Sequence, residues 1–115
     1  MSARPVVAVL GATPEDPPPG IEAAEALADV RFAADGDAVR RVLPGAEAIL
    51  WWGADRRWLE DAWDLAGPLR WIQSASDGVD QLLFPGLAER GVVVTNARGI
   101  FDDAIAEWVI GAILA

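Results

Sequence analysis

Leu69–Glu107 reads LRWIQSASDGVDQLLFPGLAERGVVVTNARGIFDDAIAE, in which short apolar runs alternate with turns that contain glycine. The runs at 71–72 and 92–94 are typical of buried strands, the second because all its residues are valine. Turns follow at 74–78 and 96–99, where glycine permits tight backbone conformations. The two strands of a βαβ unit run in the same direction. We therefore expect both turns at the carboxyl edge of one parallel sheet, where open α/β folds bind ligands.

Two helices are predicted around these strands. Leucines at 82–87 favour a short helix, and Gly91 is well placed to end it. Asp102 or Asp103 could cap a last helix over 103–115, because carboxylates accept hydrogen bonds from the free N–H groups at a helix start. This last helix is apolar nearly all round, so we expect it to be buried on more than one side.

The residues before Leu69 continue the alternation of strand and helix. Strands are predicted at 6–10, 30–32 and 48–52, and helices at 21–28, from Asp35 or Asp37 to 43, and at 55–65. The loop at 12–20 does not resemble a phosphate-binding turn, since it lacks spaced glycines and prolines 17–19 carry no N–H. The alternation predicts an α/β fold, namely a flavodoxin-like parallel sheet of about five strands with helices on both faces.

Composition excludes several classes of protein. With 115 residues, 53% of them hydrophobic, the chain can form one domain with a real core. It has no Cys for disulfides or metal sites, and no His, the commonest general acid or base near neutral pH. A net charge of −9 makes nucleic acid or an anionic membrane surface an unlikely partner. No apolar run is long enough to span a membrane, so we expect a cytoplasmic protein.

The second half of the chain resembles the D-isomer-specific 2-hydroxyacid dehydrogenases, in particular the members similar to glyoxylate or hydroxypyruvate reductases. The motifs that carry the resemblance are Trp71-Ile72-Gln73, Ser76–Asp80, Glu89–Val92, Val94–Gly99 and Ile105–Glu107. Residues 1–67 match the family only in pattern. The resemblance implies an oxidoreductase that interconverts a small 2-oxo acid and its D-2-hydroxy acid.

The resemblance also implies a domain organisation. Residues 1–100 would form the substrate-binding, or catalytic, domain, and 101–115 would begin an interdomain helix. That helix would lead into a dinucleotide-binding domain absent from this sequence. The absent domain would carry the catalytic Arg, Glu and His and most of the NAD or NADP site, so we expect no catalytic residue in this chain and no activity from it alone. The full-length protein would be a homodimer.

In the resembled family, backbone N–H groups of the turn Ser76–Val79 hold the substrate carboxylate, which assigns substrate binding to Ser76, Gly78 and Val79. Such a turn can act as an anion-binding nest even without the resemblance. Asp77 occupies a position beside the cofactor that is usually small or hydroxylic in the family. Its charge would weaken carboxylate binding unless the side chain turns outward or a cation neutralises it.

Further contacts are expected from both sides of the predicted cleft. Trp51 and Trp52 end a strand at the same edge, where one is expected to pack in the core while the other, Trp52, could cover the substrate. Phe101 could form a wall of the substrate pocket. Asn96 and Ile105 match positions near the cofactor, although Asn96 could simply support the turn and Ile105 could be a core residue. We predict no metal site, because Asp80 and the pair Asp102-Asp103 are interpreted as helix-start residues.

Two other classes of protein share an α/β fold of this kind and are alternatives to a dehydrogenase. A stand-alone flavodoxin-like binding or interaction module without catalysis would bury the last helix in a dimer of this chain. A response-regulator-like receiver domain would need an acidic cluster after the first strand and an Asp at the end of the third. Residues 11–13 (Gly-Ala-Thr) and 51–53 (Trp-Trp-Gly) stand there instead, which disfavours the receiver domain.

Overall fold

A computed structural model describes residues 4–75 and 80–96 of the chain. The described strands are β1 (Val6–Leu10), β2 (Asp29–Ala33), β3 (Ala48–Trp51), β4 (Trp71–Ser74) and β5 (Val93–Thr95). The described helices are α1 (Ile21–Glu25), α2 (Gly36–Val42), α3 (Arg56–Asp61) and α4 (Pro85–Glu89), with a short 3₁₀ helix at Trp63–Leu65. The last predicted helix, over 103–115, lies outside the described residues.

The five strands form one parallel sheet in the order β2-β1-β3-β4-β5. The chain adds β2 on one side of β1 and then crosses back to place β3 on the other, which is the flavodoxin-like order. The register aligns Leu10 with Trp51 and Trp51 with Ser74, so β1, β3 and β4 end level with one another. The predicted parallel sheet is confirmed. The segments that follow β1, β3 and β4 therefore begin side by side at its carboxyl edge.

Apolar layers cover both faces of the sheet. On one face, Val7 and Val9 of β1 pack with Ile21 and Ala24 of α1. On the other face, the clustered residues come from alternate strand positions and from α2, α3 and α4, and include Ala8, Leu10, Val39, Leu59 and Leu87. Both clusters draw on β1 and β3, which explains why these strands are unbroken apolar runs in the sequence.

Helices α2 and α3 begin with aspartate caps. Asp35 Oδ1 accepts a hydrogen bond of 2.8 Å from the backbone N–H of Ala38, which decides between the two predicted starts of α2. Asp55 Oδ1 accepts one of 2.9 Å from the N–H of Arg57. Each bond satisfies one of the backbone donors left free in a first helical turn.

Helix α4 begins later than the leucine pattern predicted. Pro85 is its first residue, and Phe84 before it is extended, with φ −150° and ψ 159°. A proline fits the first helical position, where no N–H is needed, and it forces the preceding residue out of the helical region. Leu82 is nevertheless buried, so this apolar residue belongs to the core although it lies outside the helix. Gly91 follows the helix with φ 68°, as its predicted terminating role requires.

Several other boundaries differ from the prediction, and the helix predicted at 55–65 ends at Asp61, with a separate 3₁₀ turn at Trp63–Leu65. Strand β4 continues through Ser74, where turn residues were expected, because Ser74 pairs with Trp51 of β3. Helix α1 ends at Glu25, three residues short of the predicted end at 28. Within residues 4–75 and 80–96, no helix has the length and hydrophobicity needed to cross a bilayer.

Candidate functional site

A cleft of about 690 Å³ opens at the carboxyl edge of the sheet, where β3 and β4 end. Its walls come from the residues that follow these two strands and from the segment that precedes α4. The described lining residues are Trp51, Trp52, Gly53, Ala54, Ser74, Ala75, Asp80, Gln81 and Leu82. At the ends of β3 and β4, the lining residues other than the two tryptophans have small side chains, namely Gly53, Ala54, Ser74 and Ala75. They leave room for a small ligand.

The two tryptophans take opposite sides of the sheet. Trp51 is 6% exposed and belongs to the cluster beneath α2 and α3, whereas Trp52 is half-buried against the cluster beneath α1. The backbone N–H of Trp52 donates a hydrogen bond of 2.8 Å to the carbonyl of Leu10. Trp52 is therefore anchored through its backbone to β1 and borders the cleft.

Gly11 makes this arrangement possible. It follows β1 with φ 107°, and a Cβ placed on it would lie 2.2 Å from the carbonyl oxygen of Trp52. Any side chain at this position would force the two backbones apart. The glycine therefore lets the ends of β1 and β3 approach closely beside the cleft.

The end of β4 is held from two directions. The N–H of Ala75 donates to the carbonyl of Trp51 at 3.0 Å, which extends the β3–β4 pairing to the cleft. The carbonyl of Ser74 accepts a hydrogen bond of 2.8 Å from Nε2 of Gln73. Gln73 and Ser74 are each only 1% exposed. In the sequence Gln73 stands out only as part of a family motif, although a glutamine inside a buried strand indicates that a polar partner lies nearby.

The one described charge that lines the cleft is acidic. Asp80 is its one described titratable lining residue, and its side chain is exposed. Next to the lining residue Ala54, hydrogen bonds from Arg57 to the Asp55 carboxylate lower the pKa of Asp55. The same interaction raises the pKa of Arg57. None of the described lining residues is Arg or Lys, so an anionic ligand would meet only uncharged donors among them.

The predicted site residues divide into two groups. Trp52 lines the cleft, and Asn96 is exposed directly after β5. Ser76, Asp77, Gly78, Val79, Phe101 and Ile105 lie outside the described residues. The interpretation of Asp80 as a helix start is wrong, because α4 begins only at Pro85; Asp80 instead borders the cleft. Among the described residues, no group of three His, Cys, Asp or Glu side chains could hold a metal ion.

The family profile described as D-isomer specific 2-hydroxyacid dehydrogenase, catalytic domain, matches residues 7–109. The chain belongs to this family. The match includes β1–β5 and every described lining residue of the cleft. The family membership predicted from the motifs in the second half is thereby confirmed, and it extends through the first half, where only the pattern had been similar.

Individual relatives agree with the family assignment. Over 52 residues, which are 45% of this chain and 15% of the relative, the sequence is 40% identical to a glyoxylate reductase of Thermofilum pendens. A D-isomer specific 2-hydroxyacid dehydrogenase family protein from Aeromonas salmonicida has a similar structure, with a TM-score of 0.58, 25% identity, and coverage of 97% of this chain and 35% of that one.

The apo-structure of D-lactate dehydrogenase from Escherichia coli shares the fold, with a TM-score of 0.53, 16% identity, and coverage of 78% of this chain and 30% of that one. The chain thus spans about a third of the length of these solved relatives. At 16% identity, the Escherichia coli structure shows a shared fold alone.

The described loop after β1 does not fit the pyrophosphate of a dinucleotide. In the loop after β1, the N–H of Asp16 already donates to the carbonyl of Thr13 at 3.1 Å, and Pro17–Pro19 have no N–H to offer. This loop therefore lacks the row of free amides that such a phosphate group requires.

Proposed function

We propose that this chain is the substrate-binding portion of an NAD(P)-dependent oxidoreductase that interconverts a small 2-oxo acid and its D-2-hydroxy acid. The observation that carries the proposal is the family match over residues 7–109, which contains both strand ends bordering the cleft. The cofactor, NAD or NADP, would be held mainly by a dinucleotide-binding domain outside residues 1–100. Residues 101–115 would begin the helix that connects the two domains.

In this proposal the chain binds and orients the acid. Backbone N–H groups of the turn Ser76–Val79, above all those of Gly78 and Val79, would hold the substrate carboxylate. Trp52 would cover the acid from the β3 side, and Phe101 would close the pocket. The acidic and uncharged lining supports binding through backbone N–H groups, because no described cation is available there.

Asp77, Asn96 and Ile105 would lie toward the cofactor. In the full-length protein, the nicotinamide supplies or removes the hydride, and a His and an Arg of the other domain would move the proton and polarise the carbonyl. The proposal extends to a homodimeric full-length protein. A cytoplasmic location remains a prediction from the sequence.

The proposal is tested with the protein encoded by the complete reading frame that contains this chain. Purified protein is mixed with NADH or NADPH and either glyoxylate or hydroxypyruvate, and the loss of reduced nicotinamide is followed. We expect turnover with at least one acid, and formation of the D-isomer where the product is chiral. Absence of turnover with every small 2-oxo acid tried, in a protein that binds one of them, would favour a binding module without catalysis.

A further inference from the structure

We propose that Gln73 is a positioning residue that, with Thr95 and Trp71, fixes the last peptide of β4 at the wall of the cleft and so tunes the affinity for the acid. These three side chains are called the Gln73 network below. The inference rests on the proposed function, because the affinity in question is that for a 2-oxo acid. The network itself is a feature of the described sheet.

The Gln73 network is a continuous series of hydrogen bonds across β4 and β5. Trp71 Nε1 donates to Thr95 Oγ1 at 2.8 Å, and the Thr95 hydroxyl donates to Gln73 Oε1 at 2.6 Å. Gln73 Nε2 then donates to the carbonyl of Ser74 at 2.8 Å. Every donor points the same way along the series, an arrangement in which each bond polarises the next.

Strand register brings the three side chains together. Gln73 lies opposite Thr95 in the β4–β5 pairing, and Trp71 is two residues earlier in β4, so all three share one face of the sheet. Trp71 also packs against the apolar cluster of that face. The network thus joins an anchored aromatic side chain to the strand end.

The network ends on one particular peptide unit. The carbonyl of Ser74 and the N–H of Ala75 belong to the same planar peptide group, so they can rotate only together. Gln73 holds the carbonyl, and the Trp51 carbonyl holds the N–H at 3.0 Å. The orientation of this peptide is therefore fixed from both sides, once by the network and once by β3.

That peptide is the point where β4 enters the cleft wall. Ser74 and Ala75 both line the cleft, and residues 76–79, to which the proposed function assigns the substrate carboxylate, follow them in the sequence. Rotation of the Ser74–Ala75 peptide would redirect the chain that follows, so it would alter the binding of the acid. It would not change the reacting groups, none of which lies in the network. Loss of the network should therefore raise KM for the acid and leave kcat nearly unchanged.

The test compares Thr95→Val with Thr95→Ser in the full-length protein. Valine keeps the shape of threonine and removes the hydroxyl that links Trp71 to Gln73, whereas serine keeps that hydroxyl. We expect Thr95→Val to raise KM for glyoxylate about five-fold, the usual effect of one lost hydrogen bond, with kcat changed by less than about two-fold. Thr95→Ser should restore KM to within about two-fold of the wild-type value.

A matched control separates positioning from general weakening of the strand. Val94→Ala removes side-chain packing on the opposite face of β5, where Val94 contacts the other apolar cluster. We expect it to lower the unfolding midpoint without raising KM. If Thr95→Val does not fold, Trp71→Phe removes the first donor of the network and carries the same KM test. A folded variant of either kind with unchanged KM overturns the proposal.

A second readout keeps the inference independent of activity. Hydrogen exchange of the Ala75 amide in the same proteins reports how firmly the peptide is held. We expect faster exchange in Thr95→Val than in Thr95→Ser, and equal rates would overturn the positioning role. If the wild-type protein turns over no 2-oxo acid, the proposed function fails, while the exchange comparison still decides whether the network holds the peptide.

Discussion

At the scale of single residues, the close approach of two backbones at Gly11 is the sharpest constraint beside the cleft. An added Cβ would meet the Trp52 carbonyl oxygen at 2.2 Å, and φ is 107°. We expect Gly11→Ala to lower the free energy of unfolding by about 3 kcal/mol, from steric overlap and backbone strain together. The matched control is Gly45→Ala, with φ 87° and no neighbour within 4 Å, which should cost about 1 kcal/mol. Equal shifts of the urea midpoint would contradict the close approach.

Trp52 supplies a prediction about binding at the same scale. In the proposed function its ring covers the acid, so Trp52→Ala should raise KM for the acid about ten-fold by removing aromatic contact area. Trp58→Ala is the control, because Trp58 is also half-buried but packs against the α2–α3 cluster, away from the described cleft lining. Steady-state kinetics of the full-length variants measures the effect. A KM that changes equally in both variants would count against a place for Trp52 over the substrate.

At the scale of elements, α2 is expected to depend on its cap more than on its other N-terminal acid. Asp35 accepts the Ala38 N–H, whereas Asp37 lies within the first turn and can act only through its charge. Asp35→Ala should lower the free energy of unfolding by about 1 kcal/mol, and Asp37→Ala by about 0.3 kcal/mol. Urea denaturation of both variants provides the measurement. A larger loss at Asp37 would show that α2 begins elsewhere.

Helix α3 carries a pH-dependent cap. Arg57 lowers the pKa of Asp55 in the folded chain, mainly through its side-chain hydrogen bond. A carboxyl whose folded pKa is depressed contributes stability above its unfolded pKa and loses it as pH falls through the folded value. Asparagine caps a helix without titrating. The wild type should therefore be more stable than Asp55→Asn at neutral pH, and this advantage should shrink as the pH falls below the unfolded pKa of about 3.9. A difference that is constant with pH would refute the charge contribution.

The elements also show what the sequence could reveal. Apolar runs predicted β1 and β3 closely because strands buried on both faces have no polar positions. The leucine pattern predicts the start of α4 too early, because Leu82 packs in the core ahead of the helix. Pro85 is the first residue of α4. The Gln73 network needed the pairing of Gln73 with Thr95, a register that a single strand's sequence does not contain. Trp52 was placed at the cleft because a parallel sheet puts all strand ends at one edge.

At the scale of the whole molecule, the last prediction concerns what residues 1–115 can do alone. The sequence has no histidine, and Asp80 is the one described titratable group that lines the cleft. The described loop after β1 also lacks spaced glycines, and its three consecutive prolines offer no N–H to a dinucleotide phosphate. We therefore expect no loss of NADH or NADPH when the purified 115-residue chain is mixed with glyoxylate or hydroxypyruvate. The full-length protein serves as the positive control under identical conditions. Turnover by the short chain that disappears in its Trp52→Ala variant would place the catalytic groups within these residues. It would contradict the proposal that a second domain supplies them.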